Sequence, residues 1–314
     1  MFRFPRAAVW VAGAILLTGC ASRTPQASRL ETVPPDVPHA AGDLSEYMAK
    51  VRHLSATRKP APRPGLPTLE TADAEVAAAL TAVRARPTAA AHRLLGERYR
   101  ERGVLDMAYS HFNQAVALDR RDSAAHEGLA RVWRDWRLPE LAIGDAHRAV
   151  FHAPASASAR NTFGTVMQAL GQFDEAQRAF ELAAQLDPNG AYAVNNLCYL
   201  SFVRGRIDAA IDLCAAALEL DPAMPAARNN LALAFAAAGR IDLARTHFLD
   251  AGDEASGLYN TGIVYLATGN ETAALDAFDA ATRLRPAFHL AHARARLIRE
   301  RKHKATIAAR LAGQ

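Results

Sequence analysis

Cysteine is scarce in this 314-residue chain, with three residues at positions 20, 198 and 214. The 11 histidines are scattered, so no metal-ligand cluster stands out. His289 and His292 are spaced to share a helix face, but no acidic or cysteine partner lies near them in sequence. Aromatics make up only 7% of the chain against 50% hydrophobic residues, so the apolar content is mostly alanine and leucine. That mix favours helices packed at close range over a large aromatic core. A Gly-rich phosphate loop, a GxSxG elbow and an HExxH pair are all missing, which leaves no catalytic set to build on. Charge is also modest. A net +5 without interleaved aromatics makes no case for nucleic acid. The excess gathers after His289, where Arg294, Arg296, Arg299, Arg301, Lys302, Lys304 and Arg310 face Glu300 alone. Two readings stand there: the solvated face of a terminal helix, or a patch touching anionic lipid headgroups.

The chain starts with Arg3 and Arg6, an apolar run over 7–17, and then Leu17-Thr18-Gly19-Cys20. The run is 11 residues long, against the ~20 that span a bilayer, and so reads as a secretory signal. Its end resembles the lipobox of bacterial lipoproteins. That resemblance implies cleavage of residues 1–19 and lipidation of Cys20, with several acyl chains holding the protein to a membrane. Ala21 follows, where an aspartate would resemble an inner-membrane retention signal, so the outer membrane is expected. Eight prolines then punctuate residues 20–69 with little apolar periodicity, which predicts a disordered tether. Within it, DLSEYMAKVRHL (43–54) reads either as a short helix or as a docking peptide.

Beyond the tether the chain repeats. Ala108, Ala142, Ala176, Ala210 and Ala244 are 34 residues apart, as are Gly171, Gly205 and Gly239. Each unit reads as helix, turn, second helix and stop; glycine ends the first helix because it tolerates positive φ. Units of this period bury their apolar faces only by stacking. They resemble the tetratricopeptide repeat: residues 157–190 carry Gly164, Gly171, Phe173, Ala176, Phe180, Ala183 and Pro188 at that family's signature positions. The expected fold is all-α, a right-handed superhelical solenoid. Its six repeats span 89–122, 123–156, 157–190, 191–224, 225–254 and 255–288, with a capping helix at 70–88 and a basic one at 289–314. Departures are Arg120 for a terminal proline, Ala146 and Cys214 for the second-helix aromatic, and Thr261 for leucine. The step from Ala244 to Ala274 is 30, one helical turn short, which predicts a kink near Gly252 and Gly257.

The resemblance implies a concave partner-binding groove lined by first helices. One row is Arg93, Glu127, Asn161, Asn195, Asn229 and Tyr259. A second is Glu97, Arg131, Thr165, Tyr199, Leu233 and Ile263, and a third is Arg100, Arg134, Gln168, Phe202, Ala236 and Leu266. The wall thus grades from charged through amide and hydroxyl to apolar. Three aligned asparagines suit an extended peptide, because a carboxamide both donates and accepts. Cys198 and Cys214 fall about two turns either side of one interhelix turn, as packed free thiols or as a disulfide. The expectation is a non-catalytic, lipid-anchored scaffold without cofactor, metal or small-molecule substrate, which binds an extended or helical segment of another envelope protein. The layout is similar to lipoproteins that assemble type IV or Tad pili and secretins. A docking regulator of cell-wall enzymes is the alternative.

Overall fold

A computed structural model describes residues 69–312; the signal segment, Cys20 and the proline-rich tether lie outside the described residues. The described chain is α-helical, with fifteen helices and no strand among the described residues. It divides into two compact units, residues 69–172 and 173–312.

The first unit holds α1 (Leu69–Ala72), α2 (Ala74–Ala85), α3 (Ala89–Glu101), α4 (Leu105–Leu118), α5 (Ser123–Asp135), α6 (Pro139–His152) and α7 (Ala157–Ala169). The expected single capping helix is broken at Asp73. Its side chain accepts the backbone N–H groups of Glu75 and Val76 at 3.0 Å each and so starts α2 afresh. Thr88, Asp122 and Ser156 cap α3, α5 and α7 in the same way. Gly103 ends α3 at φ 73°, but the turn after α5 uses Arg137 at φ 66°, a conformation that costs an L-residue about 1–2 kcal/mol. Val76, Leu95, Tyr99, Phe112, Leu129 and Val132 form the core of this unit.

The second unit holds α8 (Phe173–Leu186), α9 (Ala191–Val203), α10 (Ile207–Leu220), α11 (Pro225–Ala237), α12 (Ile241–Asp250), α13 (Glu254–Ala267), α14 (Glu271–Leu284) and α15 (His289–Ala312). The alanines of the 34-residue period, with Ala274, are 0–1% exposed, which lets neighbouring helices approach closely. The four residues missing from the fifth repeat come out of α12, which has 10 residues where α8, α10 and α14 each have 14. A Cβ built on Gly257 would lie 2.6 Å from the Phe248 carbonyl oxygen, so α13 is seated directly against the backbone of the shortened helix.

Candidate functional site

In the first unit, the predicted charged row forms a network that links α3, α5 and α7. Arg100 bonds Glu97 at 2.6 Å and Asp135 at 3.1 Å, and Arg134 bonds Asp135 at 3.0 Å and the Thr165 hydroxyl at 3.0 Å. Arg131 pairs with Glu127 and reaches Glu97 at 3.7 Å. Burial works against the Glu97 carboxylate, but Arg100 and Arg131 outweigh it and hold its pKa below the ordinary value. Glu97 and Asp135 in turn outweigh the burial of Arg100 and raise its pKa. Three guanidinium groups thus meet three carboxylates within the wall itself. Glu127 is only 6% exposed, and its Oε1 also accepts from the Ser158 and Thr162 hydroxyls at 2.5 and 3.0 Å. Arg93 is not in this network; it pairs with Asp122 at 3.0 Å. Asn161 and Gln168 are half-buried on α7.

In the second unit, Asn195 and Asn229 are buried rather than displayed. The Asn230 amide donates to Asn195 Oδ1 at 2.9 Å, and Asn260 donates to Asn229 Oδ1 at 3.4 Å. Both bonds join successive first helices, as Glu127 and Thr162 do in the first unit. Asn195 and Asn229, expected to hold a peptide, thus brace neighbouring first helices. Tyr259 is 1% exposed: its ring meets Phe278 and Phe288 at centroid distances of 5.5 and 5.2 Å, in the core closed by the segment before α15. Leu233 and Ile263 are buried in the same cluster, because large apolar side chains fill the gaps between closely spaced first helices. Tyr199 and Phe202 stay half-buried on α9, their rings 6.4 Å apart, and burial raises the Tyr199 pKa. Leu266 is half-buried at the position equivalent to Phe202, with the small Ala236 between them in sequence register.

Cys198 on α9 and Cys214 on α10 are both fully buried, and the structure joins them as a disulfide with Cα atoms 5.2 Å apart. On α15 much of the basic excess meets acids: Arg299 bonds Asp279 at 2.6 Å, Arg301 bonds Glu271 at 3.1 Å, and Arg296 reaches Glu300 at 3.6 Å. Those contacts account for three of the cations without lipid. His289 and His292 join no metal-binding cluster among the described residues, and none of those helices is long and apolar enough to cross a membrane.

Sequence reasoning missed Asp135, Thr162, Asn230 and Asn260. The signal was there: each of the last three sits one residue past the groove row in the next repeat. The separations are 35, 35 and 31, each one more than the local repeat length.

A tetratricopeptide-repeat family model matches residues 162–225 and 204–257. No curated protein matches the chain. Among solved structures, the APC/C hetero-tetramer Cut9–Hcn1 aligns with TM-score 0.60 at 18% identity, over 70% of this chain and 45% of the matched one. This chain therefore spans less than half of that relative. PilW, described as a widely conserved type IV pilus biogenesis factor, aligns with TM-score 0.57 at 20% identity over 67% of this chain and 97% of its own. Pseudomonas aeruginosa PilF aligns with TM-score 0.52 at 20% identity over 68% and 97%. Likenesses at these identities bear on the fold alone. With the helix pairs, the alanine ladder and the family match taken together, the chain carries tetratricopeptide repeats and its helices adopt the tetratricopeptide-repeat solenoid fold.

Proposed function

We propose that this chain is a lipid-anchored, non-catalytic scaffold of a bacterial envelope, held through Cys20 and facing the periplasm from the outer membrane. Its folded part takes up an apolar segment of another envelope protein. The observation that carries this reading is the partly buried wall of Tyr199, Phe202 and Leu266 in the second unit. Asn195 and Asn229 of the same unit are buried and each accepts a hydrogen bond from the next first helix, so the accessible chemistry of this wall is apolar and aromatic. In that row the small Ala236 falls between Phe202 and Leu266, an alternation of size that suits one anchor side chain of an amphipathic helix. A pilus or secretin-assembly component is the partner we propose; PilW, which shares the fold, is described as a type IV pilus biogenesis factor.

The test is crosslinking in intact cells of the native host, with a photoreactive amino acid at Phe202 and a control at the exposed Glu219. Recovery of a pilus or secretin component from Phe202 alone is the expected result. Recovery of other envelope proteins alone would remove the pilus version. Equal products from both positions would remove the groove.

A further inference from the structure

The first unit has a second concave feature, away from the row of groove residues. A cleft of about 950 Å³ opens between α4 and α6, and α5 forms its floor. Trp133 and Leu129 line the bottom, and Val116 and Leu141 line the sides. Phe151 stands at its lip with 80% of its surface in water, the most exposed large hydrophobic side chain of the described residues. A phenylalanine in that position has little to gain from solvent, and an apolar floor beneath it marks a surface made to be covered.

The rim decides what covers it. Its one carboxylate, Asp145, is already engaged by His126 at 2.9 Å and by Arg148 at 3.3 Å. Arg120 and Arg121, both exposed at the cleft, form no ion pair among the described residues. The cleft therefore presents an apolar floor under a net positive rim. Charge complementarity then favours carboxylates flanking an apolar anchor. On α5, the cleft residues His126, Leu129 and Trp133 lie roughly 130° around the helix from Glu127, Arg131 and Arg134, at 100° per residue. An occupant of the cleft would leave the groove row untouched.

We propose that the α4–α6 cleft is a second docking site, and that it takes an acidic amphipathic segment of a partner protein, with a leucine or phenylalanine in the cleft and carboxylates on Arg120 and Arg121. A cleft of this size takes on the order of two or three side chains. The occupant is therefore a short segment and not a folded domain.

The experiment is fluorescence anisotropy on the full chain with three dye-labelled twelve-residue peptides. Each carries two leucines and a phenylalanine at helical spacing, flanked by four glutamates, four glutamines or four lysines. The glutamate peptide should bind at least tenfold tighter than the other two and weaken as salt rises. Arg120→Gln with Arg121→Gln should weaken it at least tenfold, and so should Phe151→Ala. All three side chains are exposed, so circular dichroism melts of the variants should match the parent. Equal binding of the glutamate and glutamine peptides, or no effect of the variants, would overturn the proposal. Tightest binding by a peptide of residues 43–54 would replace the partner with the chain's own segment. A dimer in sedimentation velocity that Phe151→Ala abolishes would replace it with a second copy.

Discussion

Asn230 donates its side-chain N–H to Oδ1 of Asn195 at 2.9 Å, and both residues are buried. The bond ties α9 to α11 and recurs between Asn260 and Asn229, where the sequence separation shrinks from 35 to 31. The shortened α12 thus keeps the first helices in register, since four residues are close to one helical turn. Removing Asn195 leaves a buried donor on Asn230 without its acceptor. Asn195→Ala should lower unfolding stability by about 1–3 kcal/mol in urea titrations, with partner recovery per folded molecule unchanged. Unaltered stability together with lost partner binding would return Asn195 to the groove.

The seat of α13 on α12 depends on Gly257. A methyl group there would meet the Phe248 backbone at 2.6 Å, and backbone cannot rotate away. Gly257→Ala should destabilise by about 1–3 kcal/mol. Gly144 on α6 is exposed, and a Cβ there meets only the flexible Arg148 side chain at 3.3 Å. Gly144→Ala should be neutral or stabilising by up to about 1 kcal/mol. Thermal melts of the two variants make the comparison.

Cys198 and Cys214 replace a small residue and an aromatic of the usual repeat pair, and a bridge between them closes a loop of 16 residues. A loop of that length is stabilised by about 3 kcal/mol in the chain-entropy account. Alkylation of the denatured, unreduced protein should label neither residue, and reduction should lower the melting temperature. Two labelled thiols in protein purified without reductant from the envelope would show a packed free pair instead.

His92 and His111 face each other across α3 and α4 with Nδ1 atoms 3.0 Å apart, and His111 lies flat against Tyr99 at 5.6 Å. Burial pushes both imidazoles below their ordinary value of 6.5, and for His111 the neighbouring His92 adds to the shift. The unfolded chain therefore takes up protons first as pH falls. Stability should hold above about pH 6.5, decline below it, and level off once pH passes the lowered folded values. Urea midpoints from pH 7.5 to 5 should show the decline, and His111→Gln should reduce its slope.

The repeat length, the six helix pairs and the packing positions were legible because stacking demands small residues at fixed spacing, and Ala108 through Ala244 display it. The deletion in α12 was legible from the alanine step alone. The accessible surface was harder to read. Asn195 and Tyr259 occupy the expected row, but what each meets depends on the next repeat or on the segment around Phe288. A single repeat does not encode that. Asp135 completes the charged network from the last turn of α5, beyond the three rows. The cleft beside Phe151 had only the departure at Ala146 to announce a changed second helix, and nothing in the period pointed to its rim.

The central claim is that a partner is held by the apolar wall around Phe202 and Leu266. The direct measurement is quantitative co-purification of the lipidated full chain from its native host. It compares the parent with a Phe202→Asp, Leu266→Asp variant shown to be folded by circular dichroism. The account predicts that one or a few envelope proteins fall at least tenfold in yield with the variant. Equal recovery of every co-purifying envelope protein from both forms would contradict it.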